Sequence, residues 1–363
     1  MCPTRNDLAL GERVNGPYFL RAGSMWRKIE QWCDRSGTLG RDIKQSLLPG
    51  RAFDPNPRGH VTNAQTAAFK AVYSFYSGQG QLYNSFVYDG LFGGFQAYNI
   101  ISNTRWLEPE VDDTVNCMDI AEGEGKVLAI SLGTGHMFLH CQRNDLQMYA
   151  TPSDSPVDAN DSILRWFEEH AFRLNHDFFS VSKIYHGVHS YPYLSRCPAV
   201  TDTTKCSRAV TRGVEIVASS ILAPEFGIFV YSIRIRLLTP ADGDDYMSPQ
   251  QRGFETCQLM SRYWKISTPD NFDEVRGEGV IGMYPLLYEG GYSNFEGSGV
   301  DELEQGEDIT GTFAYQSCTQ ADTIERVMEG YLQFRPGSVD EPSGEIFNAR
   351  VAPFPLKLGQ FLY

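Results

Sequence analysis

Along the first half of the chain apolar residues recur at helical spacing; through most of the second half they recur at every second position. In "GSMWRKIEQWCDRS", Met25, Ile29, Trp32 and Cys33 form one stripe, with Ser24 as the expected N-cap. "NAQTAAFKAVYSFYSGQG" repeats the pattern with Phe69, Val72, Tyr73 and Tyr76, and Gly78 is the expected C-terminal stop. A third helix is predicted over "DSILRWFEEHAFRL", with Leu164, Phe167, Ala171 and Leu174 inward and Glu168 and Glu169 toward solvent. "SFVYDGLFGGFQAYNII" and "KVLAISLGTGHMFLHC" read as strands broken by glycine turns, and the Pro- and Gly-rich "LLPGRAFDPNPRGHVT" as an exposed loop.

The polar stretch "SRCPAVTDTTKCSRAV" separates this α+β half from a region without helical period. In "FGIFVYSIRIRLL", Phe229, Tyr231, Ile233, Ile235 and Leu237 alternate with Val230, Ser232, Arg234 and Arg236, the pattern of a strand with one buried and one wet face. "GVEIVASSIL", "CQLMSRYWKIST", "GTFAYQSC", "RVMEGYLQF" and "IFNARVAPF" add short strands, so a β-sandwich is predicted from about residue 207. Within it, residues 288–308 are rich in glycine, serine and acid, and read as a solvated insertion. In "SRYWKI", Trp264 and Ile266 are expected inward with Met260, and Arg262 is expected to pack its stem or pair locally.

Composition narrows the function classes. A length of 363 residues suits two domains, and a formal net charge of -14 without a basic patch argues against nucleic-acid binding. The eight cysteines show no CxxC pair, so buried reduced thiols are expected rather than a disulfide framework. Neither a signal-peptide core nor an 18-residue apolar run is seen, so no membrane insertion is expected and a cytoplasmic location is.

Few residues carry recognisable chemistry. Gly277, Gly279 and Gly282 in "RGEGVIGMYP" fit the spacing of a dinucleotide-binding loop, but Pro285 follows at once where that loop needs a helix N-terminus to face the phosphate. His136, His140 and Cys141 lie on a predicted strand without a carboxylate ligand, and His186 and His189 in a predicted loop, so no metal site is expected. There is no GxSxG elbow, and Asp112, Asp113, Glu122 and Glu124 fall in a polar loop; no catalytic residues are expected.

"CQLMSRYWKI", "DEVRGEGVIGMYPLL", "GTFAYQSCT", "VMEGYLQF" and "FNARVAPFPL" resemble the ApaG domain in order and spacing. The resemblance implies an immunoglobulin- or fibronectin-like sandwich over 207–363, with Arg262, Tyr263, Trp264, Pro285 and Gly330 as family-motif positions. ApaG domains have been connected with phosphate or metal binding through glycines at the positions of Gly277, Gly279 and Gly282, without an established catalytic activity. "FKAVYSFYSGQGQ", "GLFGGFQAYNI", "ILRWFEEHAFRL" and "GVEIVASSILAPEF" are similar to the SUKH (Smi/Knr-like) domain and junction of plant and green-lineage F-box proteins carrying ApaG. This implies a SUKH-like α+β domain over 21–200 after a tail over 1–20. The helical F-box of that family has no counterpart in residues 1–60 beyond the fragment "LLPG".

The function expected is a non-enzymatic, cofactor-free adaptor or subunit of a larger assembly that binds protein partners. Its alternatives are the substrate receptor of a Skp-cullin ubiquitin ligase and a pyrophosphate, nucleotide or divalent-metal binder.

Overall fold

The structure is a computed structural model. It describes residues 5–50, 63–80, 89–97, 100–106, 128–132, 135–142, 145–149, 162–186, 189–199, 206–223, 227–293, 311–321 and 325–357. The elements of the N-terminal half are α1 (Arg5–Arg35), α2 (Gly37–Ser46), β1 (Leu47–Pro49), α3 (Asn63–Tyr73), β2 (Tyr76–Gln79), β3 (Gly94–Ala97), β4 (Ile100–Trp106), β5 (Leu128–Leu132), β6 (Gly135–Gln142), β7 (Asp145–Tyr149), α4 (Ser162–Asn175), β8 (Ser180–His186) and β9 (His189–Ser195). Seven strands form a sheet in the order β7-β6-β5-β4-β3-β9-β8, and β1 pairs with β2.

The helical stripes behave as expected: Met25, Ile29, Trp32 and Cys33 are buried, as are Leu164, Phe167, Ala171 and Leu174, in one aromatic-rich core. Boundaries differ in five places. The expected tail over 1–20 is largely helix, because α1 begins at Arg5 and kinks at Gly16 (φ 50°, ψ -128°), which leaves Ser24 inside the helix rather than at its cap. α3 stops at Tyr73 instead of running to Gly78, and Tyr76 reaches the core from β2, edge-on to Trp26. Glu168 and Glu169 are half-buried because they accept from Arg21 (2.9 and 2.7 Å) and Arg173 (2.8 Å). His186 and His189, expected in a loop, are paired residues at the end of the β8–β9 hairpin. The start of the predicted proline-rich loop is not loop, because Leu47–Pro49 pair with β2 as β1 and Leu47 is buried in the core; residues 51–62, Phe69's side chain and residues 112–124 lie outside the described residues.

The C-terminal half comprises β10 (Cys206–Thr211), β11 (Val214–Ala223), β12 (Ile228–Leu237), α5 (Pro249–Arg252), β13 (Cys257–Ser267), β14 (Phe272–Glu278), β15 (Leu286–Tyr288), β16 (Gly291–Ser293), β17 (Phe313–Gln320), β18 (Glu325–Pro336) and β19 (Phe347–Lys357). One sheet runs β10-β11-β12-β17; the other runs β16-β15-β13-β18-β19, with β14 also on β13. Their facing sides share one core, with Phe229, Tyr231, Ile233 and Ile235 from the first sheet against Trp264, Met328, Leu332 and Phe354 from the second. This is an antiparallel sandwich.

Two features of the sandwich correct the sequence reading. The register of β13 against β18 shifts between Leu259 and Ser261, so Met260 sits in a bulge, half-exposed, while Leu259 before it and Trp264 and Ile266 after it point inward. A strand cannot place 259 and 264 on one face without an extra residue between them. The first part of the expected insertion, 288–293, is hairpin: Tyr288 closes β15, Gly290 (φ 81°) turns, and β16 follows.

The alternate face of β12 is also not wet throughout. Ile228, Val230 and Ala223 pack with Phe95, Ala97 and Cys197 of the N-terminal half, leaving only the Arg234 and Arg236 end half-exposed. Polar contacts extend this seam. Gln316 of β17 accepts from the Gln96 N–H (2.9 Å) and donates to Ser195 Oγ (2.9 Å), while Pro198 O accepts from Ser219 Oγ (2.8 Å) and Arg234 Nη2 (3.0 Å).

Candidate functional site

The glycine segment lies on β14 and the turn after it, and each glycine has a local cause. Arg262 of β13 lies across Gly277, where a Cβ would come within 2.9 Å of Nη1, and donates to the carbonyls of Glu278 (3.0 Å) and Gly279 (2.7 Å). Gly279 takes φ 53°, and a Cβ there would meet Met283 O at 2.7 Å. Val280 and Met283 exchange backbone hydrogen bonds (3.0 and 2.8 Å) around Ile281 (φ 44°) and Gly282 (φ 83°), a two-residue hairpin with both central residues left-handed. Pro285 O accepts from Leu259 N (3.0 Å), which stitches the turn to β13.

An anion cradle needs amide N–H groups converging on an open site. Here the amides of Gly279, Val280 and Met283 are spent on Met260 O and on the hairpin, and β15 rather than a helix follows. The segment binds β14 to β13 through Arg262.

The rest of the motif divides by face. Trp264 is buried over Gly330, where a Cβ would lie 2.0 Å from Tyr263 O and 3.1 Å from the indole. Tyr263 points out of the sandwich. It stacks on Tyr331 (4.9 Å between centroids, 23°), lies under Arg276 (4.9 Å) and donates to Glu274 Oε1 (2.7 Å), a bond that raises its hydroxyl pKa. Lys265 lies over the exposed Phe272 (5.0 Å). Among the described residues nothing covers this outer face, which combines tyrosine, phenylalanine and arginine, the residue types that anchor protein interfaces.

Polar knots missed by sequence reasoning fix the loops. The fully buried Arg252 donates to the carbonyls of Met247, Phe254 and Glu255 and to Glu289 Oε1 (2.8 Å). Glu215 is buried between Arg208 and Arg236, which also reach Asp245 and Asp242. The carbonyl partners of Arg252 are local, but Glu289 is distant in sequence, and Arg208 and Arg236 meet Glu215 only because β10 and β12 flank β11. Burial pushes the thiols of Cys33 and Cys197 up to about 12, which makes them poor nucleophiles. His136 and His140 are four residues apart on β6, and among the described residues no group of three His, Cys, Asp or Glu could hold a metal ion.

An antiparallel sandwich with a glycine turn locked by an inward arginine defines the class of the C-terminal half. Residues 222–311 match the family model described as the ApaG domain. A Protein ApaG of Anaeromyxobacter sp. (strain K) is 31% identical over 155 residues, which cover 41% of this chain and 94% of that protein. The chain belongs to the ApaG family through this half. It is also homologous to the F-box protein SKIP16 of Arabidopsis thaliana, at 29% identity over 261 residues, covering 66% of this chain and 52% of that protein. The human F-box only protein 3 is 29% identical over 145 residues, covering 40% of this chain and 24% of that protein. The chain thus spans about half and about a quarter of these two relatives. No helix among the described residues is long and apolar enough to cross a membrane.

Proposed function

We propose that the chain is a non-enzymatic protein-interaction adaptor, a subunit of a larger assembly, in which a SUKH-like half and an ApaG sandwich form one platform. The observation that carries this reading is the seam through Gln316 and the cluster around Phe95 and Val230. By packing on the outside of one sheet, the N-terminal half leaves the Tyr263–Tyr331 face of the other as the surface offered to partners. Four helices among the described residues and a mixed sheet, antiparallel except where β3 meets β9, support the SUKH-like assignment.

Purification of the tagged chain from its native cells tests the proposal. Stoichiometric recovery in one assembly, lost on Tyr263→Ala with Tyr331→Ala, is expected; a chain that elutes alone and cross-links to nothing would refute it. A second reading, substrate receptor of a Skp-cullin ligase, is favoured by the relationship to SKIP16, whose 261-residue match is longer than the sandwich and so enters the N-terminal half. Co-recovery of a Skp-type adaptor and a cullin would single out this version.

A further inference from the structure

We infer that two copies of the chain join edge to edge through β14, extending the larger sheet across a two-fold axis. The inference goes beyond the adaptor reading and does not depend on it. Among the described residues β14 pairs with β13 alone, in a continuous seven-residue register without a bulge, so its other edge carries unpaired backbone groups. The strand contains no proline, and Phe272 and Val275 are 53% and 41% exposed.

Charges usually guard such an edge, but in "FDEVRGE" their order is self-complementary. In an antiparallel pair centred on Val275, Glu274 of each copy faces Arg276 of the other on the Tyr263 side. On the opposite side Val275 meets its own counterpart, and Asp273 faces Gly277. Neighbouring registers fail: centring on Glu274 sets two glutamates face to face, and centring on Arg276 opposes two arginines as well as Glu274 and Glu278. Within one strand Arg276 lies 3.6 Å from Glu274 and both are well exposed, so each has capacity for a cross-strand partner. A two-fold interface must be self-complementary in this way. Because a single edge strand is a small interface, association is expected to depend on concentration.

Sedimentation of the full chain over a roughly hundredfold concentration range tests the inference. The wild type is expected to pass from monomer to dimer and to do so less readily in high salt. Arg276→Glu and, separately, Glu274→Arg place like charges opposite each other and should each weaken dimerisation about tenfold or more. The double exchange Glu274→Arg with Arg276→Glu should restore it, with all variants keeping the wild-type circular dichroism. A wild type that stays monomeric throughout, single variants that dimerise as well as wild type, or a folded double variant that does not recover would each overturn the proposal.

Discussion

The two sheets of the sandwich bury their inner faces alike and differ in what lies outside them. On the β10-β11-β12-β17 sheet the outer positions Ile228 and Val230 are sealed under Phe95 and Ala97, whereas on the β13-β18 sheet the outer positions Tyr263 and Tyr331 stack in the open. One fold thus uses the same alternation for two purposes. An apolar outward residue marks a permanent neighbour inside the chain, and an aromatic residue with a polar tip marks a surface stable in water and ready to be covered.

The sharpest way to break this contrast is to charge the sealed face. Val230→Asp buries an unpaired carboxylate and should destabilise the chain by about 3–5 kcal/mol, read as a drop in the urea midpoint. Trp264→Ala, between the sheets, should cost about 3–5 kcal/mol by cavity formation and loss of buried area. Acid should act on the N-terminal half. His170 is buried with Nε2 on Leu91 O (2.8 Å), and burial lowers its pKa to about 3. The unfolded chain therefore binds its proton first, so stability present above pH 6.5 should fall as pH drops toward 3, by a few kcal/mol in all. His170→Phe should flatten that dependence in a melting series. Gln316→Leu removes both the acceptor of the Gln96 N–H and the donor to Ser195 Oγ at the seam and should cost about 1–3 kcal/mol. On the open face Tyr331→Ala should change stability by less than about 1 kcal/mol while weakening partner capture. If Tyr331→Ala proved as damaging as Val230→Asp, the two faces would not differ as described.

Much of the sandwich was legible because alternation alone predicts strands at residues such as Phe229 to Leu237. The seam was less so. Val230 on an outward position is compatible with a tolerated surface residue, and the contrast between Ile228 and Val230 at one end and Arg234 and Arg236 at the other gains meaning only once Phe95 is known to lie nearby. α2 was missed because its apolar signal is only Leu39 and Ile43, and it depends on Gly40, where a Cβ would strike Cys33 O of α1 at 2.0 Å. The turn residues of the glycine segment were readable, but Arg262 as the group that requires Gly277 was not, since a side chain's reach across strands leaves no local trace.

The bulge at Met260 has a consequence for how the chain tolerates change. This residue contributes little to the core, so replacing its side chain should be nearly free. Removing the residue altogether would leave Leu259 on Phe334 and Ser261 on Gln333 in an unbroken ladder, with Tyr263 still outward and Trp264 still inward, whereas inserting a residue in the regular stretch after it would turn Trp264 outward. In a systematic scan position 260 should therefore be among the most forgiving of β13 to substitution and to deletion alike, because it is the residue that the ladder leaves uncounted.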